Sequence, residues 1–265
     1  MKPQIISLFL ILFVLSGCAT KKTPQSQHPS IVQTTSSSDD IFDEFEDEFD
    51  TSSSAQIFDP LEGYNRLMTQ FNDKVYTFAL EPIAQGYAKT LPEGLRVSIR
   101  NFGDHLKTPI RITNNLLQFK FKNSLQETGR FAVNTIFGLG GFFDPASTDL
   151  GWHKHDEDFG QTLGFYGFKE GFHVVLPFLG PSNLRDIIGL GGDTFMSPLT
   201  NLGHQHVAYK IPNNTLESVG IKTMEVVNDT SLKLGQYESI KRDALDLYPF
   251  LRDAYTQYRN QQIKE

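Results

Sequence analysis

The sequence predicts a mainly α-helical domain that carries one glycine-bounded hairpin and follows a disordered N-terminal tether. Three observations lead there. Apolar residues recur at three- and four-residue spacing in several separate stretches, the period of one helix face. Helix-start residues stand directly ahead of those stretches. No run of strict apolar-polar alternation is long enough to predict a sheet.

The chain opens with Lys2, an apolar stretch over residues 5–15, and the small residues Ser16 and Gly17 before Cys18. Residues 1–17 read as a secretory signal peptide. A membrane-spanning helix needs about 20 apolar residues, so the run is too short to be one. Leu15-Ser16-Gly17-Cys18 resembles the lipobox of bacterial lipoproteins, in which the cysteine is acylated and becomes the mature N-terminus. Cys18 is the chain's sole cysteine and hence the expected lipid anchor; it leaves no internal disulfide. Ala19 in place of Asp favours the outer membrane by the same resemblance.

Residues 18–56 are rich in Ser, Thr, Gln and Pro and then acidic, a composition too poor in apolar surface to fold. Phe42, Phe45 and Phe49 sit at helical spacing among the carboxylates. They fit either a solvated linker or an acidic segment that folds onto a basic partner groove. This segment distorts the charge balance: eight of the 31 acids lie between Asp39 and Asp50, leaving 23 acids against 24 bases elsewhere. A nearly neutral folded part, residues 57–265, has no basic face for nucleic acid. The chain as a whole has 22 Phe residues against a single Trp, and such a composition is expected to expose apolar surface to lipid or to a partner.

The domain's first helix is signalled by Asp59-Pro60-Leu61-Glu62, read as N-cap, first-turn proline and reciprocal acid. Leu61, Tyr64, Met68, Phe71, Val75 and Phe78 then share one face. Thr90-Leu91-Pro92-Glu93 repeats the signal ahead of Leu95, Ile99, Phe102 and Leu106, and Thr108-Pro109 opens a shorter helix. A further helix is predicted over 123–137, broken by Gly138-Leu139-Gly140-Gly141. Asn214 caps a helix with Leu216, Val219, Thr223 and Val227 on one face, and 243–258 read as helical with Pro249 as a kink or break. Between Gly138 and Gly203 glycine recurs and helical periodicity fades. Gly167 and Gly171 precede the apolar run Phe172 to Leu179, with Pro177 near its end, and Gly180-Pro181 closes it. The run reads as a flap that dips into lipid or covers an apolar passage, or else as a core segment bounded by turns.

Few residues point to catalysis or metal. His153-Lys154-His155-Asp156-Glu157-Asp158 and His204-Gln205-His206 hold potential ligands but lack the HExxH or paired CxxC spacing of zinc sites, so a polar loop and no metal are expected. The two Gly-Leu-Gly-Gly segments follow no strand and read as helix ends and close-packing points rather than nucleotide loops. No Gly-x-Ser-x-Gly elbow occurs, and Ser182 has no evident base. Arg130 and Asn134, one helical turn apart, and Arg185-Asp186 read as polar groups that fix the fold, with headgroup contact the alternative for Arg185.

Several motifs in order carry a resemblance: 59–66 (DPLEGYNR), Phe71-Asn72, 130–135 (RFAVNT) with 138–144 (GLGGFFD), 157–164 (EDFGQTLG), 176–182 (LPFLGPS) with Arg185-Asp186, and Leu247-Tyr248-Pro249 with 252–255 (RDAY). From Asp59 to about Arg259 the chain resembles the MlaA (VacJ) lipoproteins. The resemblance implies a ring-like helical domain embedded in the inner leaflet of the outer membrane, with an amphipathic channel. It implies removal of misplaced phospholipid from the outer leaflet, without catalysis or a cofactor. The implied partners are a trimeric outer-membrane porin, a periplasmic lipid carrier and, indirectly, an inner-membrane ABC-type complex. By motif, Asn65, Met68, Phe71 and Asn72 would lie near the channel, Gly167, Gly171, Pro177 and Gly180 would shape the gating hairpin, and Asp144 joins the structural polar set. Phe172-His173 stands where relatives more often carry Pro-Tyr. The competing readings are a scaffold lipoprotein that holds a porin or envelope complex, and a lipid esterase.

Overall fold

In a computed structural model of the chain, residues 59–203 and 207–265 are described. The leader, Cys18, the acidic tether and residues 204–206 lie outside them. The described part is mainly helical, as the periodicity predicts.

Helix α1 (Glu62–Val75) widens into one π turn (Tyr76–Leu80) and runs on as α2 (Glu81–Thr90). Pro82 has no N–H to give the Phe78 carbonyl, so the ordinary four-residue ladder fails there, and Glu81 N–H reaches back five residues to Tyr76. Asp59 does not cap α1 as expected: Leu61 occupies the cap position, while the Asp59 carboxylate accepts hydrogen bonds from Asn65 and the distant Tyr248 hydroxyl. A tertiary partner has outcompeted the local one. Extended Leu91 and Pro92 separate α2 from α3 (Glu93–Leu106), and α4 (Thr108–Leu117) and α5 (Phe121–Ile136) pack on each other.

Short helices α6 (Pro145–Thr148) and α7 (Phe159–Phe165) are capped by Asp144 and Asp158. Strands β1 (His173–Leu176) and β2 (Gly180–Asn183) form an antiparallel hairpin, with His173 opposite Asn183 and Leu176 opposite Gly180. Gly180 therefore opens a second strand rather than closing the run. The alternation that marks a strand is present in burial but hidden in sequence: His173 and Val175 are buried, Val174 and Leu176 only half so.

Asn183 caps α8 (Leu184–Met196), and Asn214 caps α9 (Thr215–Ser231) as expected. Helices α10 (Gln236–Asp243) and α11 (Leu247–Lys264) follow. Pro249 corrects the predicted kink: it is the third residue of α11, where the missing N–H has no intrahelical acceptor to lose. The second Gly-Leu-Gly-Gly segment, starting at Gly189, lies inside α8 rather than at a helix end.

The interior is polar. On α5 the buried residues are Ser124, Glu127, Arg130 and Asn134, spaced to form one stripe, while Phe121, Leu125, Phe131 and Ile136 face outward. On α9, Ser218, Asn228 and Ser231 are buried beside Val227, and Leu216 and Val219 are exposed. Among the described residues the buried apolar side chains are few: Ala84, Ala146, Val175 and Val227, with Tyr248.

Candidate functional site

Two asparagines on α1, two turns apart, hold the hairpin. The Asn65 carboxamide donates to the His173 carbonyl (3.0 Å) and accepts from Val175 N–H (2.8 Å). Asn72 does the same one step along, donating to Leu176 O (2.9 Å) and accepting from Phe178 N–H (2.8 Å). Each carboxamide thus pairs with strand backbone much as a neighbouring peptide would. Asn65 is fully buried and also reaches Asp59 (3.1 Å) and the Tyr248 hydroxyl (3.3 Å), which ties the hairpin base to α11.

The hairpin tip, Pro177-Phe178-Leu179, is exposed, Phe178 by 71%. Phe178 adopts a left-handed backbone conformation (φ 65°) and sets its ring edge-on to Phe71 at 5.2 Å. Asn65, Phe71, Asn72, Pro177 and Gly180 are therefore brought together; Met68 is half-buried on the same helix. Gly167 stands apart, in the turn that ends α7, and Gly171 packs its Cα side against Leu184.

Behind the hairpin base His173 is buried between the rings of Tyr248 and Tyr255. Burial there lowers the imidazole pKa, with Asp59 opposing and Arg252 reinforcing the shift.

A second polar group centres on Glu127, fully buried on α5. Its carboxylate accepts from Arg111 Nε (2.8 Å) and from the backbone N–H of His155 (2.8 Å). Arg130 donates to Asp144 (2.9 Å) and to the Trp152 carbonyl, and Asn134 donates to the other Asp144 oxygen (2.7 Å). A buried carboxylate is tolerable only with such partners. Between α3, α4 and α5, Arg111, Arg130, Asn134 and Asp144 line a small pocket that opens to the surface, with a cavity volume of about 40 Å³.

A third group joins α7, α8 and α11. Arg259 bridges Asp158 (2.7 Å) and Asp186 (2.9 Å), and Asp186 also accepts from Arg185 (3.0 Å) and the Tyr255 hydroxyl (2.7 Å). Burial alone would raise the Asp186 pKa, but hydrogen bonds from Arg259, Arg185 and Tyr255 hold it at about 2. Nearby Asp193 is pushed up to about 6 by burial and by the Asp158 charge. Here α8 crosses α7 so closely that a Cβ on Gly189 would stand 2.4 Å from the Gly160 nitrogen.

The structure places residues 154–158 of the His153–Asp158 stretch in contacts with the rest of the chain. Glu157 accepts from Gln118 (2.8 Å) and Lys120 (2.6 Å), and Asp158 caps α7. Among the described residues no group of three or more His, Cys, Asp or Glu side chains could hold a metal ion. Sequence reasoning missed Arg111, Glu127, Tyr248 and Arg259. For Glu127 a signal existed in the polar stripe of α5; for Arg259 none did, because its carboxylates lie 73 and 101 residues away.

Outside this polar interior the surface carries large apolar side chains, among them Phe78, Phe119, Phe121, Phe137, Phe143 and Phe195. Among the described residues, far more large apolar side chains are exposed than buried. No described helix is long and apolar enough to cross a membrane. The fold and its sites define an inverted helical domain, with paired polar groups inside, apolar side chains outside and an asparagine-held hairpin. The chain belongs to the MlaA lipoprotein family, whose model matches residues 57–262.

The intermembrane phospholipid transport system lipoprotein MlaA of Escherichia coli (strain K12) is 34% identical over 202 residues, covering 75% of this chain and 76% of that protein. Its counterpart in Haemophilus influenzae is 31% identical over 219 residues, 81% of this chain and 82% of that one. An uncharacterized protein of Rickettsia typhi is 28% identical over 209 residues, 79% of each. A solved structure described as the structural basis for maintenance of bacterial outer membrane lipid asymmetry matches with a TM-score of 0.64 at 29% identity, over 77% of this chain and 98% of that chain.

Proposed function

We propose that this protein is the outer-membrane lipoprotein of an intermembrane phospholipid transport system. In this reading it is anchored through Cys18, sits in the inner leaflet, and removes phospholipids from the outer leaflet to maintain lipid asymmetry. The observation that carries the reading is the inverted polarity of α5 and its neighbours, in a chain of this family. An unpaired headgroup charge is costly to bury in hydrocarbon, whereas a path with paired polar side chains on one wall and outward phenylalanines for the acyl chains avoids that penalty.

The hairpin would act as the gate, a reading supported by its base being held in the buried interior while its tip is exposed. A trimeric porin would steady the domain beside it, and a soluble carrier would take the lipid towards an inner-membrane ATP-driven complex. The protein itself performs no catalysis; the driving force belongs to those partners.

The test is the outer-leaflet phospholipid content of a deletion strain, measured by surface labelling. A rise that the wild-type gene reverses supports the reading, and an unchanged outer leaflet sinks it. Phe71→Asp separates transport from scaffolding: full complementation by a correctly localised variant favours the scaffold.

A further inference from the structure

The pocket between α3, α4 and α5 carries both signs of charge. Arg111, Arg130 and Lys154 line it together with Asp104 and Asp144. The geometry points to a seat for a zwitterionic phospholipid headgroup, a phosphate ester bearing an ammonium group, with the phosphate against Lys154 at the pocket mouth and the ammonium against Asp104. This rests on the phospholipid reading above and names the class of lipid.

A purely anionic ligand would meet the Asp104 and Asp144 carboxylates, and a purely cationic one the two guanidiniums. A ligand with both charges answers both sets. The groups divide by depth. Arg130 is buried, its Nη atoms are taken by Asp144 and Trp152, and its Nε–H, 3.6 Å from Glu127, has no hydrogen-bond partner. Lys154 and Asp104 form a 3.3 Å pair whose side chains stay 34% and 37% exposed, so both remain reachable. The Asp104 and Asp156 carboxylates offset the burial of the Lys154 ammonium and raise its pKa, so it stays charged. His105, stacked on Phe131 at 4.5 Å, has its pKa lowered by burial and by Arg111 and adds no charge.

The wall also says why the ligand is a lipid rather than a free zwitterion. Phe131 lines the pocket and is 39% exposed; Gly141, also in the wall, leads directly into Phe142 and exposed Phe143. Acyl chains can leave along that shelf while the headgroup stays among the charges.

The test loads the full-length lipoprotein, in detergent, with equimolar phosphatidylethanolamine, phosphatidylglycerol and diacylglycerol and counts bound lipid by native mass spectrometry. Wild type is expected to prefer phosphatidylethanolamine over phosphatidylglycerol on the order of fivefold, the value of one partly exposed charge pair. Asp104→Asn brings the two to parity or inverts them, since it removes the ammonium's partner and frees Lys154. Lys154→Met lowers both phospholipids relative to diacylglycerol, and Lys222→Met, exposed on α9, changes nothing. Equal uptake of the two phospholipids by wild type overturns the headgroup assignment and leaves the transport reading standing. No uptake of any lipid overturns both. Displacement of phosphatidylethanolamine by excess soluble phosphoethanolamine overturns the lipid source.

Discussion

Replacing Asn72 with alanine should loosen the hairpin tip and little else. The change removes two hydrogen bonds, Asn72 Nδ2 to Leu176 O at 2.9 Å and Phe178 N–H to Asn72 Oδ1 at 2.8 Å. Each is worth about 0.5–1.5 kcal/mol net, and water can reach the exposed Phe178 amide, so no burial penalty is added there. The local loss is then about 1.5 kcal/mol, roughly a tenfold rise in the open population of the tip.

The base of the hairpin keeps its Asn65 bonds to His173 O and Val175 N–H, so global unfolding should shift by only a few degrees. Hydrogen-deuterium exchange in detergent separates the two scales: peptides spanning 172–183 should exchange about tenfold faster, while those from α4 and α5 keep their wild-type rates. Identical exchange at Phe178 would show that Asn72 does not hold the tip, and uniform acceleration would show a global effect instead. Asn65→Ala supplies the contrast. It strands buried backbone groups and should destabilise the whole domain by roughly 3 kcal/mol or more.

Four further outcomes are expected. Arg259→Met should destabilise by about 3–5 kcal/mol, because it leaves Asp158 and Asp186 without their shared cation; a melting temperature near wild type would refute this. Gly189→Ala should cost about 1–3 kcal/mol by forcing α8 off α7, whereas Gly191→Ala, with open space around its Cβ, should be neutral or stabilising; denaturant midpoints that rank the other way would count against the crossing described.

The pKa of Asp193 is raised from 3.8 to about 6, so the native state binds its proton more tightly. Its contribution favours folding at low pH and is lost as pH rises through 6, by up to about 3 kcal/mol. Asp193→Asn should flatten stability between pH 4 and 6.5; an unchanged slope would reject the assignment. Asp186, held at about 2, behaves oppositely: its stabilisation is complete above about pH 4 and lost only as pH falls through 2. Finally, exchanging Cys18 for a cleavable, non-lipidated junction should leave the domain membrane-associated through its apolar exterior. Recovery entirely in the soluble fraction would show that the lipid alone retains it.

Much of the helical framework could be read directly. Asn214 caps α9 where expected, α5 begins and ends within two residues of its predicted span, and a hairpin lies where the glycine-bounded run predicts one, although Gly180 opens its second strand. These features depend on steric limits and hydrogen bonds within a few residues of one another, so the local sequence contains all the parties. Asp59 and Pro249 show where that reading stops. Asp59 is a good cap in isolation, yet it serves Asn65 and Tyr248, and Pro249 falls in the first turn of α11 because Asp246 caps that helix.

Periodicity reveals that a helix has two faces but not which of them is turned inward. The usual assumption buries the apolar face, because water is the surround. On α5 the tertiary structure turns Ser124, Glu127, Arg130 and Asn134 inward instead, where Arg111, Asp144 and the Trp152 carbonyl meet them. By itself, then, the sequence determined helix content, most breaks, the place of the hairpin and family membership. The orientation of the faces, the asparagine clamp and the Arg259 bridge were decided only by the assembled fold, because a buried charge or carboxamide is stable only when partners distant in the chain arrive together.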